Sequence, residues 1–148
     1  ESCRQLAVRA RRKLRSRPGP RATRGEQMAL ASTFIGAVLS GDLEGVRSLL
    51  AADVVLLSDG GAHRHAARRP IVGVDRVSRF VVNLAARFDD RATMEPVWVN
   101  GSPGASISLG GRPWLVAVVE VDDDHVSRCY IVNNPDKLAL VGRPVDLV

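Results

Sequence analysis

From residue 93 to residue 133 the chain is a succession of strand-like runs broken only by turn residues, and this constrains the fold most. The first run, 93–99, stops at Asn100-Gly101-Ser102-Pro103-Gly104, and a second, 105–109, returns to Gly110-Gly111. The third, 113–121, closes on Asp122-Asp123-Asp124, and the fourth is 125–133. Short runs rich in β-branched residues and separated by Gly, Asn and Asp read as an antiparallel meander. Pro96 has no N–H to give to a ladder, so the first run belongs at a sheet edge or a bulge. The last run meets Asn134-Pro135 and must stop there. Proline suits the first turn of a helix, with Asn133 or Asn134 as its cap, so a short helical turn is expected over 135–140.

The preceding segment has helical spacing. Met28, Ala31, Phe34, Ile35, Val38 and Leu39 trace one face over 26–40, and Gly41 ends that helix. Asp42 caps a second, short helix that turns Val46, Leu49 and Leu50 inward. A strand over 53–58 leads to the turn Asp59-Gly60-Gly61. Residues 62–69 are polar and basic without periodicity, and 70–73 reads as a short edge strand. A third helix over 75–88 carries Val77, Phe80, Val81, Leu84 and Phe88 on one stripe. Segregated helices and strands predict an α+β domain, with three helices on one face of a curved, mostly antiparallel sheet.

The formal charge of +5 is unevenly placed. Residues 1–24 hold nine basic residues against Glu1 alone, a net +8, while the rest carries twelve basic and fifteen acidic residues, a net −3. The basic character belongs to an N-terminal arm, and the remainder has no charge of its own for nucleic acid. Cys3, Leu6, Ala7, Ala10 and Leu14 recur at helical spacing over 3–15, with Arg4, Arg11, Arg12 and Arg15 largely off that stripe. Gln5 and Arg9 share another face, one turn apart. Such a basic helix is either solvated or meets phosphates. Residues 16–25, rich in Pro, Gly and Arg, bury nothing and read as a linker, which divides the chain into 1–16, 17–25 and 26–148.

No apolar run approaches the roughly 20 residues of a membrane span, and the N-terminus has charge but no hydrophobic leader segment. The first residue is Glu rather than Met, so the chain is expected to be a piece of a longer protein. Cys3 and Cys129 stand in unrelated contexts without metal-ligand neighbours, which predicts reduced cytosolic thiols, no metal and a cytoplasmic setting.

Residues 41–54, Gly-Asp-Leu-Glu-Gly-Val-Arg-Ser-Leu-Leu-Ala-Ala-Asp-Val, resemble the start of SnoaL-like domains of the nuclear-transport-factor-2-like superfamily, and Gly73-Val74-Asp75-Arg76-Val77 is similar to the same family. The resemblance covers about residues 26–140 and implies a cone, a curved sheet wrapped around a pocket by helices. Ser58-Asp59-Gly60-Gly61 and Asn134-Pro135-Asp136-Lys137-Leu138 resemble the paired signature of the SnoaL-like extension in one group of extracytoplasmic-function sigma factors. Residues 2–12 resemble the end of the region-four helix-turn-helix of those proteins, the recognition helix for the −35 promoter element. The first signature usually continues with Gly-Lys; here it continues Ala62-His63, and His63 presents a cation only when protonated, near a pKa of about 6.5.

This resemblance implies a regulatory domain of an alternative sigma factor that modulates promoter-specific initiation. Asp59, Gly60, Gly61 and His63 would join Asn134, Pro135, Asp136, Lys137 and Leu138 at one mouth of the cone, touching sigma regions two and four or their linker in cis. Arg4, Gln5, Arg9 and Arg12 would face DNA. RNA polymerase core and promoter DNA would be partners of the intact parent only, and no cofactor is implied. A small-molecule ligand in the pocket could bias the contact, but the sequence names none.

The rival reading from the same fold is a ketosteroid-isomerase-like enzyme or a small-molecule-binding domain. Acid–base chemistry beside a carbonyl needs a carboxylate or imidazole in an apolar pocket and a donor for the enolate oxygen. Asp59, His63, His65, Asp75 and His125 are the candidates, with Tyr130 as donor. Each has a plainer role: Asp59 in a Gly-rich turn, Asp75 at a helix start, His125 at a hairpin tip and the other histidines in a polar loop. No acid–base pair falls on an apolar strand face, which argues against catalysis. Trp98 and Trp114 are expected in the core, and Cys129 is expected to be a small core residue pointing away from Tyr130.

Overall fold

The computed structural model describes residues 22–61, 67 and 69–139. The elements run α1 (Arg24–Ser40), α2 (Leu43–Leu49), β1 (Leu50–Asp59), β2 (Ile71–Val72), α3 (Val74–Ala85), β3 (Ala92–Val99), β4 (Ser102–Leu109), β5 (Arg112–Asp122), β6 (His125–Val132) and α4 (Pro135–Leu138). The basic helix expected over 3–15 and most of the linker lie outside the described residues.

α1 begins at Arg24, two residues before the expected start. Thr23 is its N-cap, and the cap is reciprocal: the Glu26 N–H donates to Thr23 Oγ1 at 3.3 Å, and the Thr23 N–H donates to Glu26 Oε2 at 2.6 Å. Two orphan donors of the first turn are thereby satisfied. The Arg24 guanidinium lies 4.5 Å from the ring centroid of Trp98, a cation–π contact that ties the start of the helix to β3. Gly41 closes α1 at φ +73°, in the left-handed region that only glycine enters freely.

The six strands form one sheet in the order β2-β1-β6-β5-β4-β3. β3 to β6 are the antiparallel meander, joined by short turns. Pro96 sits in edge strand β3 opposite Ala105, and the register runs through it without a break. The one departure from antiparallel pairing is β1, which runs parallel to β6, with Leu56 beside Cys129 and Asp59 beside Val132. A parallel pair needs a crossover between its strands; here the crossover is β2, α3 and strands β3 to β5. The sheet is therefore mixed, and mostly antiparallel.

α1 lies over β4 and β5, and α3 over β1. Phe34, Val46, Val54, Leu56, Val77, Leu115 and Cys129 fill the space between helices and sheet. Arg47 links α2 to α3, bonding Glu44 at 2.7 Å on its own helix and Asp75 in the first turn of α3. The two tryptophans are not in the deepest core: Trp114 packs edge-on against Phe88 with centroids 5.3 Å apart, and Trp98 is the platform for Arg24.

Gly104 marks the tightest approach within the sheet. A Cβ built there would stand 2.1 Å from the carbonyl oxygen of Ala117 on the neighbouring strand. That oxygen is backbone and cannot swing away. Gly104→Ala is expected to cost about 1–3 kcal/mol by forcing β4 and β5 apart, read as a lower midpoint in urea unfolding; an unchanged midpoint would mean the strands accommodate the methyl.

Candidate functional site

The parallel pairing of β1 and β6 ends both strands side by side, and the two sequence signatures lie just past that point. Asn133 donates its backbone N–H to the Asp59 carbonyl at 2.9 Å, extending the ladder by one rung. Asp59 then folds back on its own turn, its Oδ1 accepting from the Gly61 N–H at 2.9 Å. Its other oxygen, Oδ2, receives the Lys137 ammonium at 2.6 Å. Asn134 caps α4, its Oδ1 accepting from the Asp136 N–H at 3.1 Å, with Pro135 in the first turn. The Leu138 N–H donates to the Asn134 carbonyl at 2.9 Å, and the Leu138 side chain is buried. The short helix is thus held by an apolar plug, a cap and an ion pair.

Glycine is required at position 61 for two reasons. Its φ is +62°, and a Cβ there would fall 2.7 Å from the Asn134 side chain. Gly60 is buried beside it. Asp136 points to solvent, and Lys137 stays largely exposed while engaging Asp59. The structure therefore brings Asp59, Gly60 and Gly61 together with Asn134, Pro135, Asp136, Lys137 and Leu138. His63 lies outside the described residues, as do Arg4, Gln5, Arg9 and Arg12. Of the two asparagines expected as the cap, Asn134 caps α4, and Asn133 belongs to the cluster through its backbone bond to Asp59. It is buried, and its Oδ1 accepts no hydrogen bond among the described residues.

The bond from Lys137, followed by that from the Gly61 N–H, holds the Asp59 carboxyl below its ordinary value. A folded pKa lower than the unfolded one gives a contribution that is present at neutral pH and is lost as pH falls through the lowered value.

Asp59, one candidate for proton transfer, is thus tied up in an ion pair, and the other described candidates lie elsewhere. Asp75 is bound by Arg47; Tyr130 lines the cavity under α1 and α3, and its hydroxyl donates to Glu120 Oε1 at 2.8 Å. His125 opens β6 at the hairpin tip and is exposed, and His65 lies outside the described residues. The cavity between α1, α3 and the sheet, about 70 Å³, is lined by apolar side chains such as Phe34, Leu84, Ile107 and Ile131. Among the described residues no carboxylate or imidazole lines it. Cys129 does, but burial pushes its thiol up to about 12, which keeps it protonated and unreactive. Among the described residues no group of three or more His, Cys, Asp or Glu side chains could hold a metal ion, and no helix is long and apolar enough to cross a membrane.

No family model matches the chain. The extracytoplasmic-function RNA polymerase sigma factor SigJ of Mycobacterium tuberculosis is 29% identical over 160 aligned residues, covering 97% of this chain and 49% of SigJ. The crystal structure of SigJ superposes with a TM-score of 0.69 at 28% identity, over 95% of this chain and 50% of that one. This chain is homologous to the C-terminal region of SigJ. It spans about half the length of that relative. An NTF2-like protein from Burkholderia xenovorans matches at TM-score 0.53 and 15% identity, over 82% of this chain and 98% of its own. A steroid Δ-isomerase from Pseudomonas aeruginosa matches at 0.50 and 20%, over 77% and 86%. At these identities both speak for the fold alone, and that fold is NTF2-like α+β. Homology to SigJ points away from an enzyme, while the NTF2-like neighbours include isomerases.

The ion pair between the signatures gives a direct prediction. The Asp59 carboxyl, followed by NMR, should titrate below the ordinary aspartate value and return toward that value in Lys137→Met. An Asp59 that titrates normally in the unsubstituted chain would remove Lys137 as its partner.

Proposed function

We propose that the NTF2-like domain is the regulatory C-terminal module of an extracytoplasmic-function sigma factor, and that the Asp59–Lys137 cluster is the surface through which it contacts sigma regions two and four of its parent. The module would modulate promoter-specific initiation in the cytoplasm. RNA polymerase core and promoter DNA would be reached only through the intact protein, with Arg4, Gln5, Arg9 and Arg12 on the DNA side. One observation carries this reading: two signatures far apart in sequence meet as one cluster, with Asp136 and Lys137 left facing solvent. Asp136 is exposed in the first turn of α4, where its carboxylate is open to a partner.

The alternative, an isomerase-like enzyme, lacks support in the cavity. Acid–base catalysis needs a titratable group within hydrogen-bond reach of the substrate. The cavity's described lining offers carbon, a protonated thiol and Tyr130, whose hydroxyl is bonded to Glu120.

In-vitro transcription with the full-length parent and core polymerase tests the proposal. Asp136→Ala leaves the ion pair intact and removes only the outward carboxylate. It should change promoter output by about tenfold, the worth of one charge-assisted contact. Removing residues 134–148 should change output at least as much, with the direction reporting whether the module activates or inhibits. Unchanged output from both variants would end the regulatory-contact reading.

A further inference from the structure

The β5–β6 hairpin is more acidic than its geometry requires. Asp122 stands opposite His125 in the ladder, and Asp123 and Asp124 are the two-residue loop between them. Asp123 has φ +53°, in the left-handed region that Asn and Gly enter at least as readily. The turn accounts for small or polar residues there, not for carboxylates. Three successive carboxylates repel one another, and neither Asp123 nor Asp124 forms a salt bridge among the described residues. A groove of about 870 Å³ lies between this hairpin and α1. The half-buried Leu30 and Val121 give it an apolar lining, and the exposed Glu26, Asp123 and Asp124 give it acid. Ala22 lines the same groove, so Arg21, bonded to it, starts there by covalent connection alone.

We propose that this groove docks residues 13–21 of the same chain, Lys-Leu-Arg-Ser-Arg-Pro-Gly-Pro-Arg, with the carboxylates of Asp123 and Asp124 taking its arginines. The charges are complementary. The segment holds four basic residues and no acid, while residues 120–124 hold four acids and no base. Arginine meets a carboxylate through a planar fork of donors, which gives the contact direction as well as charge. Arg24 is already engaged on Trp98, so Arg21 and Arg17 are the next cations along the chain. Pro18 and Pro20 bias the segment to extended backbone and bring apolar rings for Leu30 and Val121. Exposed ion pairs are weak one by one and are screened by salt. The tether compensates, since a short linker holds its ends at an effective concentration of about millimolar. A nucleic acid would be repelled by the same carboxylates, and a separate basic chain lacks the tether. The docked segment would lead residues 1–12 away along the hairpin end of the sheet, fixing the direction in which they leave the domain.

This contact is independent of the sigma-factor reading, and its test uses neither polymerase nor promoter. A nitroxide is attached to the full chain at Ser16→Cys in a Cys3→Ser background, where the buried Cys129 stays unlabelled. Docking should broaden the amide signals of Leu30, Thr33 and Val121. A segment merely tethered nearby would broaden them too, so the charge variants decide. Asp123→Asn with Asp124→Asn keeps the turn and should reduce the broadening at least about threefold, as should about 1 M salt, where the Debye length falls to about 3 Å. Arg17→Gln with Arg21→Gln removes the other half of the contact and should give the same loss. Should the hairpin variant not fold, the arginine pair decides alone. Broadening that is absent from the start, or that either folded pair of substitutions leaves unchanged, overturns the proposal. Broadening passed from spin-labelled chains to separate isotope-labelled chains would assign the groove to a second copy, and would also overturn it.

Discussion

The parallel ladder between β1 and β6 is the constraint on which the rest of this molecule depends. It is the one pairing that no local turn can create, since its strands are separated by β2, α3 and strands β3 to β5. Such pairings come late in folding, because the loop entropy must be overcome before the contacts form. Once made, the ladder delivers Asp59 and Asn133 to the same end of the sheet. Everything in the signature cluster follows from that delivery. The cap at Asn134, the plug at Leu138 and the ion pair to Lys137 refine a meeting that the backbone has already arranged.

The division between what the sequence declares and what it conceals follows from the range of the interactions. The meander was legible because Gly, Asn and Asp mark each turn locally, and α3 because Val77, Val81 and Leu84 repeat at helical spacing. α4 was legible from Asn-Pro. The start of α1 was also written locally, as a Thr-x-x-Glu capping box at Thr23 and Glu26, but it was hidden in a stretch dominated by Pro, Gly and Arg. The parallel register, the Asp59–Lys137 pair and the stacking of Arg24 on Trp98 join residues with no local signal for each other, and periodicity cannot supply them. The signatures were found through a family likeness; their contact needed the folded chain.

The distribution of polarity separates two halves of the molecule with different uses. Around Asp59 and Lys137 the groups are charged, hydrated and exchangeable, suited to a contact that must be made and released. Around Ile107 and Ile131 the walls are carbon, suited to excluding water. β6 belongs to both: Cys129 and Ile131 line the cavity, and Asn133 and Asn134 lead into the cluster. The buried Asn133 oxygen, which accepts no hydrogen bond among the described residues, lies at the strand end where the cluster begins.

The strand directions also make the domain a spacer. Trp98 and the β5–β6 hairpin lie at one end of the sheet, and Arg24 is clamped there; Asp59, Val132 and α4 lie at the other. The eight residues of β6, at roughly 3.3 Å each, separate those ends by about 26 Å. A segment that leaves the domain at Ala22 and returns to touch Lys137 must therefore run the length of the sheet, which takes about eight extended residues. Residues 17–21, the part of the linker before Ala22, reach at most about 18 Å when extended, so residues 1–16 would have to cover the remainder.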